Sequence, residues 1–256
     1  MIIRRNFEDQ LSELQAELLR LGRFVTDAHG KAMDALVRQD LPLAKSVIGD
    51  DDIADDLTFA IQSLGMQLLA LQQPMARDLR SIASGLRIVV DLERIGDHAV
   101  DIAKITRTLA GYAGLKLPAD LPRLSQMASQ MVGDSLQAFV QRDALLARQV
   151  ARDDDAVDDL CEEIQRELMD RMRQDPANVD GATRLLLVAR SLERVADHAT
   201  NIAEHVYYVE TGEMRHLARE EHNHALLSSL GVDENQWSEV TAHQTPPPRK
   251  EPGSGA

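Results

Sequence analysis

One string of residues, Leu92-Glu93-Arg94-Ile95-Gly96-Asp97-His98-Ala99, is written twice in this chain. It returns as Leu192-Glu193-Arg194-Val195-Ala196-Asp197-His198-Ala199, 100 positions on (193 − 93). Leu, Glu, Arg, Asp, His and Ala recur at matching places, so a duplicated unit is the first constraint on any fold. Each copy sets two carboxylates four residues apart in an apolar, periodic context. On a helix such a pair shares one face.

A chain of 256 residues accommodates two such units, each large enough to bury a core. Aromatic residues are only 3% of it, while Leu, Ala, Arg, Asp and Glu abound, which favours helix over a β-sandwich or barrel. The formal charge of −14 argues against binding nucleic-acid phosphates and suits cations or basic partner surfaces. Cys161 is the only cysteine, so no intramolecular disulfide forms, and the residue reads as a small buried hydrophobe. Met1-Ile2-Ile3-Arg4-Arg5 runs straight into polar residues, unlike a secretory signal, and no apolar run approaches the ~20 residues of a membrane span. The expectation is a cytoplasmic protein that meets a membrane only through a partner.

The apolar positions Leu11, Leu14, Leu18, Leu21, Val25, Ala28, Ala32 and Leu36 step by three and four, which predicts a long amphipathic helix. Asp40-Leu41-Pro42 ends it, with Pro42 suited to the first turn of the next helix, which runs through Ile53, Leu57, Ile61, Leu64, Leu68 and Leu71. After Gln72-Gln73-Pro74, a third helix carries Leu79, Ile82, Leu86, Val89, Leu92, Ile95, Ala99, Ile102 and Ile105. The Gly- and Pro-bearing stretch Gly111 to Pro122 is the joint, and the pattern then starts over. Gln141-Arg142-Asp143 echoes Arg38-Gln39-Asp40, and Asp153 to Leu160 echoes Asp50 to Leu57 at an offset of 103 (153 − 50). The predicted fold is all-α: two tandem three-helix bundles, residues 1–112 and 119–212, followed by an extension over 213–256 that is disordered beyond 236. His216, His222 and His224 in that extension read as a solvated helix end.

Glu93, Asp97 and Asp101 form a stripe at i, i+4 and i+8 beside the core positions of the third helix, and Glu193, Asp197 and Asn201 repeat it in the sixth. Asp51 and Asp55 on the second helix, and Asp154 and Asp158 on the fifth, add a carboxylate pair apiece. Like charges at i, i+4 weaken a helix by a few tenths of a kcal/mol, on the order of a penalty accepted four times here. Four carboxylates from two helices are hard oxygen ligands for one metal ion or a small carboxylate-bridged cluster. The competing reading is a solvated face in which Arg94, Arg80 or Arg87 answers the carboxylates. His98 and His198 are either further ligands or hydrogen-bond partners of a carboxylate. Glu93 and His98 are five apart, unlike the Glu-x-x-His of di-metal oxidases, which counts against that class.

The duplicated motif, preceded by Gln73-Pro74 and Asp78-Leu79-Arg80, resembles the PhoU proteins over roughly Phe7 to Thr211. The resemblance implies two three-helix bundles related by a pseudo-twofold, with a Glu/Asp-x-x-x-Asp motif on two helices of each, where some members hold iron or zinc clusters. Those motifs map onto Asp51, Asp55, Glu93 and Asp97, and onto Asp154, Asp158, Glu193 and Asp197. Iron, zinc, magnesium or manganese are the candidate ions. The resemblance further implies a homodimeric, non-enzymatic regulator of inorganic phosphate uptake. Its partners are a phosphate ABC transporter, through the ATPase subunit, and a sensor histidine kinase, with the starvation response held off when phosphate is plentiful. Ala196 in place of Gly96 and Asn201 in place of Asp101 make the second site the shorter of the two. The competitor from another class is a carboxylate-bridged metalloenzyme or metal store, and a third reading is a metal-free helical scaffold.

Overall fold

The computed structural model describes residues 2–112 and 116–229, and among them every regular element is helical. The first half contains α1 (Ile2–Arg38), α2 (Leu41–Gly49), α3 (Asp51–Gln72) and α4 (Ala76–Leu109). The second contains α5 (Leu121–Gln141), α6 (Ala144–Gln174), a single 3-10 turn (Pro176–Asn178) and α7 (Val179–Thr211). A last helix, α8 (Leu217–Ser229), begins at the end of the unit that reaches Ala218, and its remainder belongs to a second unit. Residues beyond 229, including the tail expected to be disordered, lie outside the described residues. No described helix is long and apolar enough to cross a membrane.

The helices lie where the three-and-four spacing puts them. Leu14, Leu18, Leu21, Val25, Ala32 and Leu36 of α1 are all buried, as are Leu92, Ile95, Ala99 and Ile102 of α4 and Leu192, Val195, Ala199 and Ile202 of α7. The joints repeat as well. Gln39 and Arg142 both take a left-handed turn, with φ 52° and 56°, and each is followed by an aspartate that caps the next helix. Asp40 Oδ1 accepts from Leu43 N at 3.0 Å, and Asp143 Oδ1 accepts from Leu145 N and Leu146 N at 2.9 and 3.0 Å, satisfying amides that a helix start leaves without partners.

In each half the first and last helices pack together with the middle one, and the halves meet through α4 against α7 and α1 against α5. His98 and His198, equivalent in the repeat, face one another with ring centroids 5.8 Å apart, as residues beside a twofold axis must. The architecture is all-α, two three-helix bundles of one duplicated design.

Two expectations are corrected. The second helix is not continuous in the first half: it breaks between α2 and α3 at Gly49-Asp50, whereas α6 runs unbroken through the equivalent Arg152-Asp153. Glycine is the weakest helix former after proline, so the break falls where the sequence is least able to resist it. Ile53, Leu71 and Leu79, read as core, are exposed, and Ala54 takes the buried position beside Asp51 and Asp55. The substitution of Ala196 for Gly96 also has a cause. A Cβ at Gly96 would stand 3.3 Å from Val25 Cγ1, while Ala196 is accommodated as a buried residue.

Candidate functional site

Each half gathers one acidic quartet on a pair of neighbouring helices. In the first, α3 contributes Asp51 and Asp55, and α4 contributes Glu93 and Asp97. Burial raises the pKa of Asp51, and Asp55 and Asp97 raise it further; burial raises Glu93, with Asp97, Asp55 and Asp51 adding to it against Arg94. Mutual repulsion of this kind requires all four carboxyls to share one neighbourhood.

The second quartet, Asp154 and Asp158 of α6 with Glu193 and Asp197 of α7, is the more enclosed: the Glu193 side chain is 17% exposed against 26% for Glu93. Burial, then the charges of Asp158 and Asp197, push Asp154 up to about 7. Burial with Glu193 and Asp197 takes Asp158 to about 6, and burial raises Asp197 against the pull of Arg194. Both quartets therefore hold charge that the fold resists.

Arginines on the same helices answer part of it. Arg94 Nη1 donates to Asp97 Oδ2 at 3.0 Å, and its Nε lies 3.6 Å from Glu93 Oε2. In the second half the task is divided: Arg190 Nη1 donates to Glu193 Oε1 at 2.6 Å and Arg194 Nη1 to Asp197 Oδ2 at 3.1 Å. Arg80, the other candidate counter-ion, lies instead over the ring of Tyr208, 6.0 Å from its centroid, and donates to Val209 O at 3.4 Å. Arg87 lies in a cleft with Asp91 and His205.

Two polar partners of the second quartet escaped the sequence reading. Cys161 is buried as expected, but its thiol also donates to Glu193 Oε2 at 3.4 Å. Burial pushes its pKa up to about 12, which keeps the proton on sulfur. Thr200 Oγ1 donates to Asp154 Oδ1 at 3.2 Å. The first half has Thr58 and Val100 at the equivalent positions, and the Thr58 hydroxyl is buried without a partner. Only the offset of 103 between the middle helices could have pointed to Cys161, since nothing in its own flanking residues does.

The i+8 positions do not join the quartets. The Asp101 side chain is 56% exposed, with Lys104 Nζ 4.0 Å from its Oδ1, and Asn201 Nδ2 donates across the halves to Asp91 Oδ1 at 3.1 Å. Eight residues of helix rotate about 80° past two full turns, so the third step of the stripe has moved onto another face. Neither histidine bonds to a quartet carboxylate, and His198 takes instead the carboxylate-bonding alternative, with Asp91. His198 Nδ1 donates to Asp91 Oδ1 at 2.9 Å, while burial and the adjacent His198 lower the pKa of His98. His216 is largely exposed, 3.6 Å from Glu204 Oε2, and the His224 side chain lies outside the described residues.

Among the described residues no three His, Cys, Asp or Glu side chains are grouped so as to hold a metal ion as they stand. The donor set nevertheless suits a hard cation. Each quartet offers four carboxylates on two helices, whose mutual repulsion a cation would relieve.

Comparison with known proteins agrees with the duplicated all-α fold. The family model described as "PhoU domain" matches residues 18–106 and 121–206, one match per bundle. The phosphate-specific transport system accessory protein PhoU homolog of Clostridium acetobutylicum is 40% identical over 210 residues, which are 82% of this chain and 96% of that protein. The Aquifex aeolicus protein of the same description is 40% identical over 205 residues, 80% of this chain and 93% of its own. The crystal structure of PhoU from Pseudomonas aeruginosa superposes with a TM-score of 0.78 at 35% identity, over 81% of this chain and all of that one. The phosphate transport system regulatory protein PhoU from Streptococcus pneumoniae gives 0.76 at 32% identity, over 82% of this chain and 99% of that one. On the match of both bundles, the chain belongs to the PhoU family, a family of regulatory proteins and not of enzymes.

Proposed function

We propose that this protein is a cytoplasmic accessory regulator of phosphate transport. It links a phosphate ABC transporter, through its ATPase subunit, to a sensor histidine kinase, and restrains uptake and the starvation response when phosphate is plentiful. The observation that carries this reading is similarity to phosphate-transport accessory proteins along 96% of one relative's length, with both bundles included. Its work is done by surfaces, and a homodimer is the expected assembly. Tagged protein recovered from phosphate-replete cells is expected to bring down the transporter ATPase and the kinase, and recovery of neither would overturn the adaptor role.

The quartets supply the second part of the proposal: cation sites, in which Asp51, Asp55, Glu93 and Asp97 hold one ion or cluster and Asp154, Asp158, Glu193 and Asp197 another. A divalent or ferric cation would supply positive charge that cancels the repulsion. Glu193 and Asp197 would turn from Arg190 and Arg194 to meet Asp154 and Asp158, joining α7 to α6; Glu93 and Asp97 would do the same between α4 and α3. Asp101 and Asn201, which face elsewhere, are not ligands in this proposal. Binding to the folded state alone raises stability by about 2.7 kcal/mol at a hundredfold excess over Kd. Protein purified without chelator should therefore contain iron, zinc, manganese or magnesium by elemental analysis and melt higher when metal is added. The Asp97→Ala, Asp197→Ala double variant should lose both properties. Equal, negligible metal in the two proteins would rule the sites out.

A further inference from the structure

Two clefts flank the α4–α7 interface, and the duplication makes them counterparts. One, of about 410 Å³, includes Arg87, Val90, Asp91, Asn201, Glu204 and His205 in its lining. The other, of about 360 Å³, has Leu187, Arg190, Ser191, Asp101, Lys104 and Ile105 at the positions 100 residues away. These lining positions correspond between the two, but their polarity does not.

In the first cleft Asp91 is the polar centre. Its Oδ1 accepts from His198 Nδ1 at 2.9 Å and Asn201 Nδ2 at 3.1 Å, and His205 Nε2 lies 4.0 Å from its Oδ2. In the second cleft that carboxylate is missing, because Ser191 stands where Asp91 would. His98, the counterpart of His198, is left with a buried Nδ1 that has no hydrogen-bond partner. A buried polar atom without a partner is a penalty that a ligand can remove. Of the other exchanges, Val90 to Arg190 and Glu204 to Lys104 add positive charge, while Arg87 to Leu187 and Asn201 to Asp101 subtract it. With Arg194 the lining carries three cations against one carboxylate, Asp101, and Arg190 and Arg194 each also donate to a quartet carboxylate. Such a concentration of cations is unexpected on a chain of net charge −14.

We infer that the second cleft binds a small oxyanion of the carboxylate or phosphate type, which takes the place that the Asp91 carboxylate fills in its counterpart. His98 Nδ1–H and the Ser191 hydroxyl are the neutral donors, and Lys104, Arg190 and Arg194 supply the charge. Guanidinium groups suit such a ligand because their planar forks match two oxygens at once.

The test is calorimetric titration of the full chain with sodium phosphate, sodium sulfate and sodium acetate, each against sodium chloride at equal ionic strength. It is run on protein as purified and again after metal has been stripped and the chelator dialysed away, so that a failure of the quartets as metal sites does not affect the result. One saturable site per chain is expected for phosphate or acetate and none for chloride. Preference between the two identifies a phosphate-type or a carboxylate-type ligand. Ser191→Asp supplies the missing carboxylate and Lys104→Glu restores the residue of the other cleft, and each should weaken binding by about tenfold or more. Lys104 has a side chain 58% exposed, so its variant decides the matter if the buried Ser191→Asp fails to fold. Heats equal to chloride, or two folded variants that bind as tightly as the native chain, would overturn the inference.

Discussion

Leu92→Ala should destabilise the protein by about 3–5 kcal/mol, the range for removing a fully buried leucine from a packed core. Leu92 is completely buried on the face of α4 between the two acidic residues Asp91 and Glu93. Truncation leaves a cavity that helices on both sides must collapse to fill, and α4 cannot shift far while it packs on α1, α3 and α7 at once. Glu93→Gln, one residue on, should behave oppositely in metal-free protein. It removes a carboxylate that burial and Asp97 already disfavour, so stability should hold or rise. Urea denaturation followed by circular dichroism reads both. A loss of less than about 1 kcal/mol for Leu92→Ala would mean that the stripe is not the core of this helix.

The second large effect is the stability that Asp154 and Asp158 cost metal-free protein as pH rises from about 4 to 7. Asp154 at about 7 and Asp158 at about 6 both lie above the ordinary 3.8, so the folded state binds more protons than the unfolded one from about pH 4 to 7. Where the folded state holds the extra protons, stability is lost as pH rises, and above the folded pKa the loss is complete. Below 6.5 buried histidines act the other way. His29, lowered to about 4 chiefly by burial, must stay neutral in the fold and so favours higher pH over roughly 4 to 6.5. The two trends oppose each other from about pH 4 to 6.5, and the two carboxyls together outweigh His29 up to about pH 6. Asp154→Asn isolates the carboxyl: at pH 8 it should stabilise metal-free protein by about 2 kcal/mol after allowance for solvent screening, and the gain should vanish near pH 4. Thermal midpoints of the two proteins across this range measure the difference, and a gain independent of pH would show that Asp154 titrates normally.

What the sequence revealed of this fold and what it hid have a common physical basis. Leu92, Ile95 and Ala99 are local: their burial follows from spacing along one helix, and the repeat at Leu192, Val195 and Ala199 doubles the signal. Glu93 and Asp97 next to them could be matched with Asp51 and Asp55 because a three-helix bundle brings consecutive helices together. Asp101 and Asn201 were misplaced by following a period of four where the helix turns at 3.6, an error that grows with every step. The break at Gly49-Asp50 rests on one residue, too little to interrupt an otherwise unbroken apolar pattern. Cys161 with Glu193 and Asp91 with His198 depend on how helices and halves meet, which spacing within a segment does not encode. The clefts beside α4 and α7 were invisible for the same reason.

The meeting of His98 and His198 has a consequence for how this molecule could diversify. In a pair of identical chains, every substitution near the symmetry axis appears twice, and any residue there must suit both of its copies. Joining the copies in one polypeptide removes that obligation. Asp91 and Ser191 are free to differ, so one histidine keeps a carboxylate and the other gives it up, and the axis separates two environments that began as one.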